Sequence, residues 1–129
     1  IVKNLGLFDK NYFLYYEETD LLLRSKKKNL NAYLIANLKI KHSRASSIEK
    51  HIDTTFLRSW HYMWSMFYFY KKNFTYLFAI KKISKFIIKD FLMFFYFLCL
   101  MDKNNCKLRF YRLYGSISSI IGLKSFLRL

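Results

Sequence analysis

Proline is absent from this chain, and glycine occurs only three times among its 129 residues. Because proline interrupts the hydrogen-bond ladder of a helix, this composition permits long uninterrupted helices. Large apolar side chains recur at positions 56, 60, 63, 64 and 67, a spacing that places them on one helical face. The sequence therefore predicts a long helix here, following a polar loop over residues 43–52 and ending near Lys72 and Asn73.

A second helical pattern covers residues 76–101. Its apolar stripe consists of Ile80, Ile83, Ile87, Phe91 and Phe94, and its other faces carry Lys81, Lys82, Lys85 and Lys89. The purely apolar part, residues 91–101, spans roughly 16 Å at about 1.5 Å per residue, about half the hydrocarbon core of a bilayer. This length favours a helix that is buried in protein or lies in a membrane interface over one that crosses the membrane.

The acidic residues are unevenly distributed along this basic chain. Four of the eight lie within residues 6–24, namely Asp9, Glu17, Glu18 and Asp20. Three of these follow an aromatic run and open a segment, from residue 17 to about residue 28, that is predicted to be helical. The dipole of a helix favours carboxylates at its N-terminal end, and catalytic bases are often held at such positions.

Residues 6–24 form the motif G-x-F-D-x-x-Y-F-L-Y-Y-E-E-T-D-L-x-L-R, which resembles a pattern of family-2 glycosyltransferases, particularly rhamnosyltransferase-like enzymes. The similarity continues through residues 33–35 to His42, Ser46 and Ser47, and residues 115–128 also look like the family. In that family a nucleotide-binding half precedes the motif. The resemblance therefore implies that the chain is a C-terminal fragment of a longer enzyme and is inactive when isolated.

The resemblance implies transfer of a sugar, with inversion, from a nucleotide-activated donor such as dTDP-rhamnose to a polysaccharide or lipid-linked acceptor. This reaction needs a general base for the attacking hydroxyl and positive charge for the departing nucleoside diphosphate. The family's base is the second acid of a Glu-Asp pair, and Glu18 occupies that position with one additional methylene. Glu17 and Asp20 are the alternative catalytic carboxylates.

A divalent metal, Mg or Mn, is also implied for the full-length enzyme. His42, 24 residues after Glu18, is the expected metal ligand in this chain, because a histidine at this place in similar enzymes helps hold the metal. The remaining ligands would come from an Asp-x-Asp motif, which the chain lacks. The sequence contains no P-loop or dinucleotide-binding glycine fingerprint, so other nucleotide-binding classes are not indicated.

Four further residues of the motif are expected to bind substrate or to support the site. Asp9 is expected to order its loop by bonding backbone amides, and Arg24 to pair with a carboxylate one or two turns earlier in the helix. Tyr15 and Tyr16 line the sugar or acceptor pocket or, alternatively, pack in the core.

The charge of the chain indicates an anionic partner. A net charge of +15 together with 21% aromatic residues suits a membrane surface, a nucleic acid or the diphosphate of a sugar donor. Nucleic acid is disfavoured because clustered carboxylates repel phosphates and no aromatic RNA-binding signature is present. The two cysteines, Cys99 and Cys106, lack metal-binding spacing and fit a reducing cytoplasm.

The combined prediction is an α+β fragment that is predominantly helical. Residues 1–52 are predicted to be the C-terminal part of a GT-A nucleotide-diphospho-sugar transferase domain, with short strands at residues 32–36 and 38–41. Residues 53–129 are predicted to be a helical basic and aromatic extension. The enzyme is expected in the cytoplasm, at the inner face of the cytoplasmic membrane with anionic lipid as a partner; the alternative is a non-enzymatic basic module that binds membrane or nucleic acid.

Overall fold

A computed structural model describes residues 5–31, 33, 37 and 52–125, and within these ranges the chain forms four helices. Helix α1 covers Glu17–Lys27, α2 covers Ile52–Asn73, α3 covers Tyr76–Cys99 and α4 covers Lys103–Ile120. Helices α2, α3 and α4 all pack against one another. Helix α1 and the loop before it are joined to α2 by side-chain hydrogen bonds.

The prediction of an α+β fragment with the GT-A fold is wrong. The described residues form a small all-helical structure without strands, and the segments predicted as strands at 32–36 and 38–41 lie largely outside them. The backbone of residues 5–7 forms no sheet ladder, and the Arg24 guanidinium instead binds its carbonyl groups. Backbone groups that a strand would pair with a neighbour are here satisfied by a side chain.

The core lies along α2, whose apolar face is the one that the sequence predicts. Its inner side chains pack against α3 in one cluster formed by Met63, Met66, Phe67, Ala79 and Ile83. On another side, α2 contacts α4 closely at Gly115, where an added Cβ would lie 2.3 Å from the carbonyl oxygen of Trp60. A larger residue at position 115 would therefore push the two helices apart.

Polar bonds hold the ends of the helices. Thr75 caps α3 by accepting a hydrogen bond from the Phe78 amide, and Asp102 caps α4 through the Asn105 amide. At the other end of α4, the Trp64 indole donates to the Leu123 carbonyl at 2.9 Å. The chain after α4 is thus anchored back onto α2.

The apolar stripe predicted along α3 faces mainly inward. Ile83 is fully buried, and Ile80 and Ile87 pack against the core cluster, whereas Phe91 is 53% exposed. The isoleucine part of the stripe therefore packs on protein and is not a membrane-facing surface.

None of the described helices combines the length and apolar character needed to cross a bilayer. The predicted boundary between residues 52 and 53 stays a prediction, and contacts between α1 and α2 cross it.

Candidate functional site

Asp20 lies at the centre of a network of cations and amides. Its side chain is fully buried, with Oδ2 2.9 Å from both the Arg24 Nε and the Lys72 Nζ, and Oδ1 accepts a hydrogen bond from the Asn73 amide at 2.9 Å. Burial alone would raise the pKa of the Asp20 carboxyl, but these three donors outweigh burial and lower it. Because both carboxylate oxygens are bonded, the geometry favours an ordering role for Asp20 over that of a general base.

Asp9 belongs to the same network. Its Oδ2 binds the Lys72 Nζ at 2.8 Å and accepts a hydrogen bond from the Tyr68 hydroxyl at 3.0 Å. Its Oδ1 accepts the Asn11 backbone N–H at 2.9 Å, which is the loop-ordering bond expected of this residue. Burial would raise the pKa of Asp9, but the Lys72, Asn11 and Tyr68 bonds lower it.

Arg24 joins the helix to the loop that precedes it. Its Nε pairs with Asp20 one turn earlier, as the spacing predicts, while its Nη atoms donate to the carbonyl groups of Leu5, Gly6 and Leu7. The guanidinium therefore fixes the start of the described chain against α1. Gly6 has a φ of +68°, a conformation that glycine adopts without strain.

Two consecutive tyrosines make the turn into α1. Tyr15 and Tyr16 both have a φ of 67°, in the left-handed region that bulky residues rarely adopt. Aromatic contacts hold them there: the Tyr15 and Tyr62 rings lie 5.6 Å apart, and the Tyr16 and Phe69 rings 5.3 Å apart. Burial, with the neighbouring Tyr62 hydroxyl, raises the pKa of Tyr16. Strained backbone of this kind clusters at functional sites.

This turn presents the glutamates at the start of α1. Glu17 and Glu18 lie in the first helical turn together with Asp20, where the helix dipole favours negative charge. Glu18 is exposed, and its carboxylate makes no hydrogen bond or ion pair with any described residue. Glu17 is half-buried, and its Oε2 is shielded from solvent with no hydrogen-bond partner in the described part of the chain.

The residues that complete this network were not among those predicted for the site. Tyr68, Lys72 and Asn73 lie on the last turns of α2, about 50 residues after Asp20, and the sequence indicated Lys72 and Asn73 only as a helix break. The spacing of Tyr68 and Lys72, four residues apart, places both on the face toward Asp9. This spacing was the signal available in the sequence, although it does not identify Asp9 as the residue that Tyr68 and Lys72 bind. Burial and the Asp9 hydrogen bond raise the pKa of Tyr68 to about 12.

The residues described here do not fit a metal centre. They contain no group of three or more His, Cys, Asp and Glu side chains able to hold a metal ion. The clustered carboxylates of Asp9 and Asp20 already bind Lys72, so their charge is neutralised within the protein. His42, the predicted metal ligand, lies outside the described residues. The bonds among these described residues are therefore explained without the predicted divalent metal.

No family model, no curated protein and no solved structure matches this chain. The similarity of residues 6–24 to family-2 glycosyltransferases therefore stays a prediction that rests on the motif. What the structure adds is the arrangement of that motif: Asp9, Asp20 and Arg24 form one bonded unit, and Glu18 projects from it into solvent.

Proposed function

We propose that the chain is the C-terminal part of an inverting glycosyltransferase that uses a nucleotide-activated sugar donor. The observation that supports this proposal best is that the clustered carboxylates differ in their bonding and exposure. Asp9 and Asp20 are bonded to cations, whereas Glu18 is exposed at the N-terminal end of α1. An exposed carboxylate on a helix held by side-chain bonds is available to accept a proton from a bound acceptor.

In the proposed reaction the Glu18 carboxylate accepts the proton of an acceptor hydroxyl. The hydroxyl oxygen forms a bond to the anomeric carbon from the face opposite the leaving group, and the nucleoside diphosphate departs with the electron pair of the broken bond. Asp20 and Arg24 act as positioning residues because they hold the helix that carries the base. The acceptor is a glycan or a lipid-linked sugar, and a divalent metal with His42 as one ligand belongs to the full-length enzyme.

Replacement of Glu18 by Gln in the full-length enzyme tests this proposal. Loss of a general base lowers the transfer rate by roughly 10²–10⁴-fold, and donor binding should persist because Glu18 acts on the acceptor. Glu17→Gln is the matched variant, since it removes the neighbouring carboxylate from the same helical turn. Transfer rates and donor affinity are measured for both. A Glu18→Gln enzyme within a few-fold of the parent rules out Glu18 as the base.

A peripheral location on an anionic membrane is proposed as well, at the inner face of the cytoplasmic membrane. Its support is an exposed apolar tip where α3 turns into α4. Seven large apolar side chains there are each at least 48% exposed: Phe91, Leu92, Phe95, Tyr96, Leu98, Leu100 and Met101. Exposed apolar surface of this extent typically marks an interaction site.

The lysines of α3 extend this surface along the same helix. Lys81, Lys85, Ile88 and Leu92 follow the spacing i, i+4, i+7, i+11, so the exposed face changes from basic to apolar toward the tip. If α3 lies along the membrane interface, this face can bury its apolar end while its lysines reach anionic headgroups. This face lies opposite the isoleucine stripe that packs on the core. A lipid-linked acceptor would be reached from such a position.

A further inference from the structure

An open cleft of about 400 Å³ lies between α2, α4 and the tyrosine turn that leads into α1. Its walls are formed by Tyr15, Thr55, Arg58, Ser59, Tyr62 and Arg112. The four residues from α2 are spaced i, i+3, i+4, i+7 and therefore share one helical face. The cleft thus combines two guanidinium groups with four hydroxyl groups, and none of the described residues that line it carries a carboxylate.

The charged residues among the described lining of the cleft are both arginines, Arg58 and Arg112. The Arg112 Nε donates to Asp90 Oδ2 at 2.7 Å, and the Arg109 Nη1 donates to Asp90 Oδ1 at 2.8 Å. Arg58 makes no ion pair with any residue that the structure describes. Asp90 thus binds both Arg109 and Arg112, and Arg58 adds a further positive charge to the described lining of the cleft.

Asp90 also prepares Arg112 for binding. The Asp90 carboxylate is 1% exposed and holds the Nε edge of Arg112, while the terminal nitrogens of that guanidinium have no partner within the described ranges. A guanidinium fixed along one edge presents its remaining N–H groups in a constant direction. Such a fork matches the oxygens of phosphate groups, and the nearby hydroxyls of Thr55 and Ser59 can donate to the same oxygens.

We propose that this cleft binds a diphosphate ester. Two guanidinium groups on facing helices suit two linked phosphates, and the volume exceeds what one phosphate fills. Tyr15 and Tyr62, whose rings lie 5.6 Å apart, offer an apolar surface beside the arginines for the rest of the ester. The ester is either a nucleoside diphosphate or an isoprenoid diphosphate. The site is defined by its own residues and does not depend on the proposed transfer reaction.

Calorimetric titration of the full-length protein with inorganic pyrophosphate at low salt tests the site. Arg58→Gln should weaken binding by about tenfold or more, because a charge-assisted hydrogen bond to phosphate is lost. Arg58 is the better choice than Arg112, whose removal would leave Asp90 without one of its cations. Lys26→Gln, an exposed position on α1, removes one positive charge away from the cleft and should leave the affinity nearly unchanged.

Three results would contradict the site: no pyrophosphate binding by the parent, equal affinity of parent and Arg58→Gln, or equal losses in Arg58→Gln and Lys26→Gln. Far-ultraviolet circular dichroism verifies that both variants keep their helices. Competition then identifies the ester. Displacement of pyrophosphate by UDP or dTDP assigns a nucleoside diphosphate, displacement by geranyl diphosphate assigns an isoprenoid diphosphate, and displacement by neither overturns the proposal.

Discussion

Asp20 is the residue on which the predicted site depends most. Its buried carboxylate binds Arg24, Lys72 and Asn73, so replacing it with Asn leaves two cations facing a neutral amide. We expect Asp20→Asn to lower the free energy of unfolding by about 1–3 kcal/mol, less than for a fully buried pair because both cations are partly exposed. Urea denaturation measures this. Glu18→Gln, an exposed carboxylate two residues earlier, is the control and should cost under about 0.5 kcal/mol.

The same carboxylates predict how stability changes with pH. The pKa values of Asp9 and Asp20 are lowered in the folded protein, because the bonds from Lys72 and neighbouring donors outweigh burial. The unfolded chain therefore takes up protons first, near a pKa of about 3.9. The stabilisation is present above that pH and is lost as pH falls through the folded pKa, with a slope of about 1.4 kcal/mol per pH unit for each carboxyl.

Urea denaturation at a series of pH values below about 6 checks this expectation. The Asp20→Asn protein lacks one of the two carboxyls, so its stability should fall less steeply with acid than that of the parent. Equal slopes for the two proteins would show that Asp20 is not titrating as its bonds to Arg24 and Lys72 require.

The sequence predicted part of this site. The Asp20–Arg24 pair follows from helical spacing. The Asp9 bond to a loop amide follows because aspartate side chains in turns commonly accept hydrogen bonds from nearby backbone amides. Lys72 could not be predicted, because it lies 52 residues from Asp20 in the sequence and meets it only through the arrangement of α1 and α2 in the fold. Local spacing constrains neighbours in one helix, whereas contacts between helices depend on the whole fold.

At the scale of the helices, Gly115 sets how closely α2 and α4 approach. We expect Gly115→Ala to destabilise the protein by about 1–3 kcal/mol, although alanine favours helices by about 1 kcal/mol over glycine, because its Cβ would collide with the Trp60 carbonyl. Chemical denaturation measures the change. Asn104→Ala, at an exposed position of α4, is the control and should be nearly neutral. A Gly115→Ala protein as stable as the parent would mean that the helices are farther apart.

The helices themselves were largely predictable, and their assembly was not. The predicted helix from residue 17 to about 28, the apolar face of α2 and the break near Asn73 agree with the structure. The GT-A expectation came from the motif of residues 6–24, which constrains local chemistry but carries no information about how α2, α3 and α4 pack. The start of α4 at Lys103 is set by one side chain, because Asp102 caps the helix there.

At the scale of the whole molecule, the exposed tip of α3 predicts selective membrane binding. The full-length protein should float with anionic vesicles and not with neutral ones, and changing Lys81, Lys82, Lys85 and Lys89 to Gln should weaken flotation. Each lysine near an anionic surface contributes about 1 kcal/mol. Met101→Glu, which places a charge at the most exposed apolar side chain of the tip, should weaken it as well.

Lys26→Gln with Lys27→Gln removes charge from α1, away from the tip, and serves as the control for these variants. This pair of changes should leave flotation nearly unaltered if the bilayer contacts α3. Equal losses per lysine removed from α1 and from α3 would instead indicate a diffuse effect of the net charge of +15. A protein that ignores anionic vesicles at low salt would contradict the membrane proposal.

One ammonium group serves two carboxylates in this protein, since Lys72 Nζ lies 2.8 Å from Asp9 and 2.9 Å from Asp20. Position 72 therefore carries two constraints at once, and losing its charge would weaken the attachment of the loop and of the start of α1 together. Both segments are thus bonded to the last turn of α2 through one side chain. The orientation of Glu18 therefore depends on α2, a helix that begins 34 residues farther along the chain.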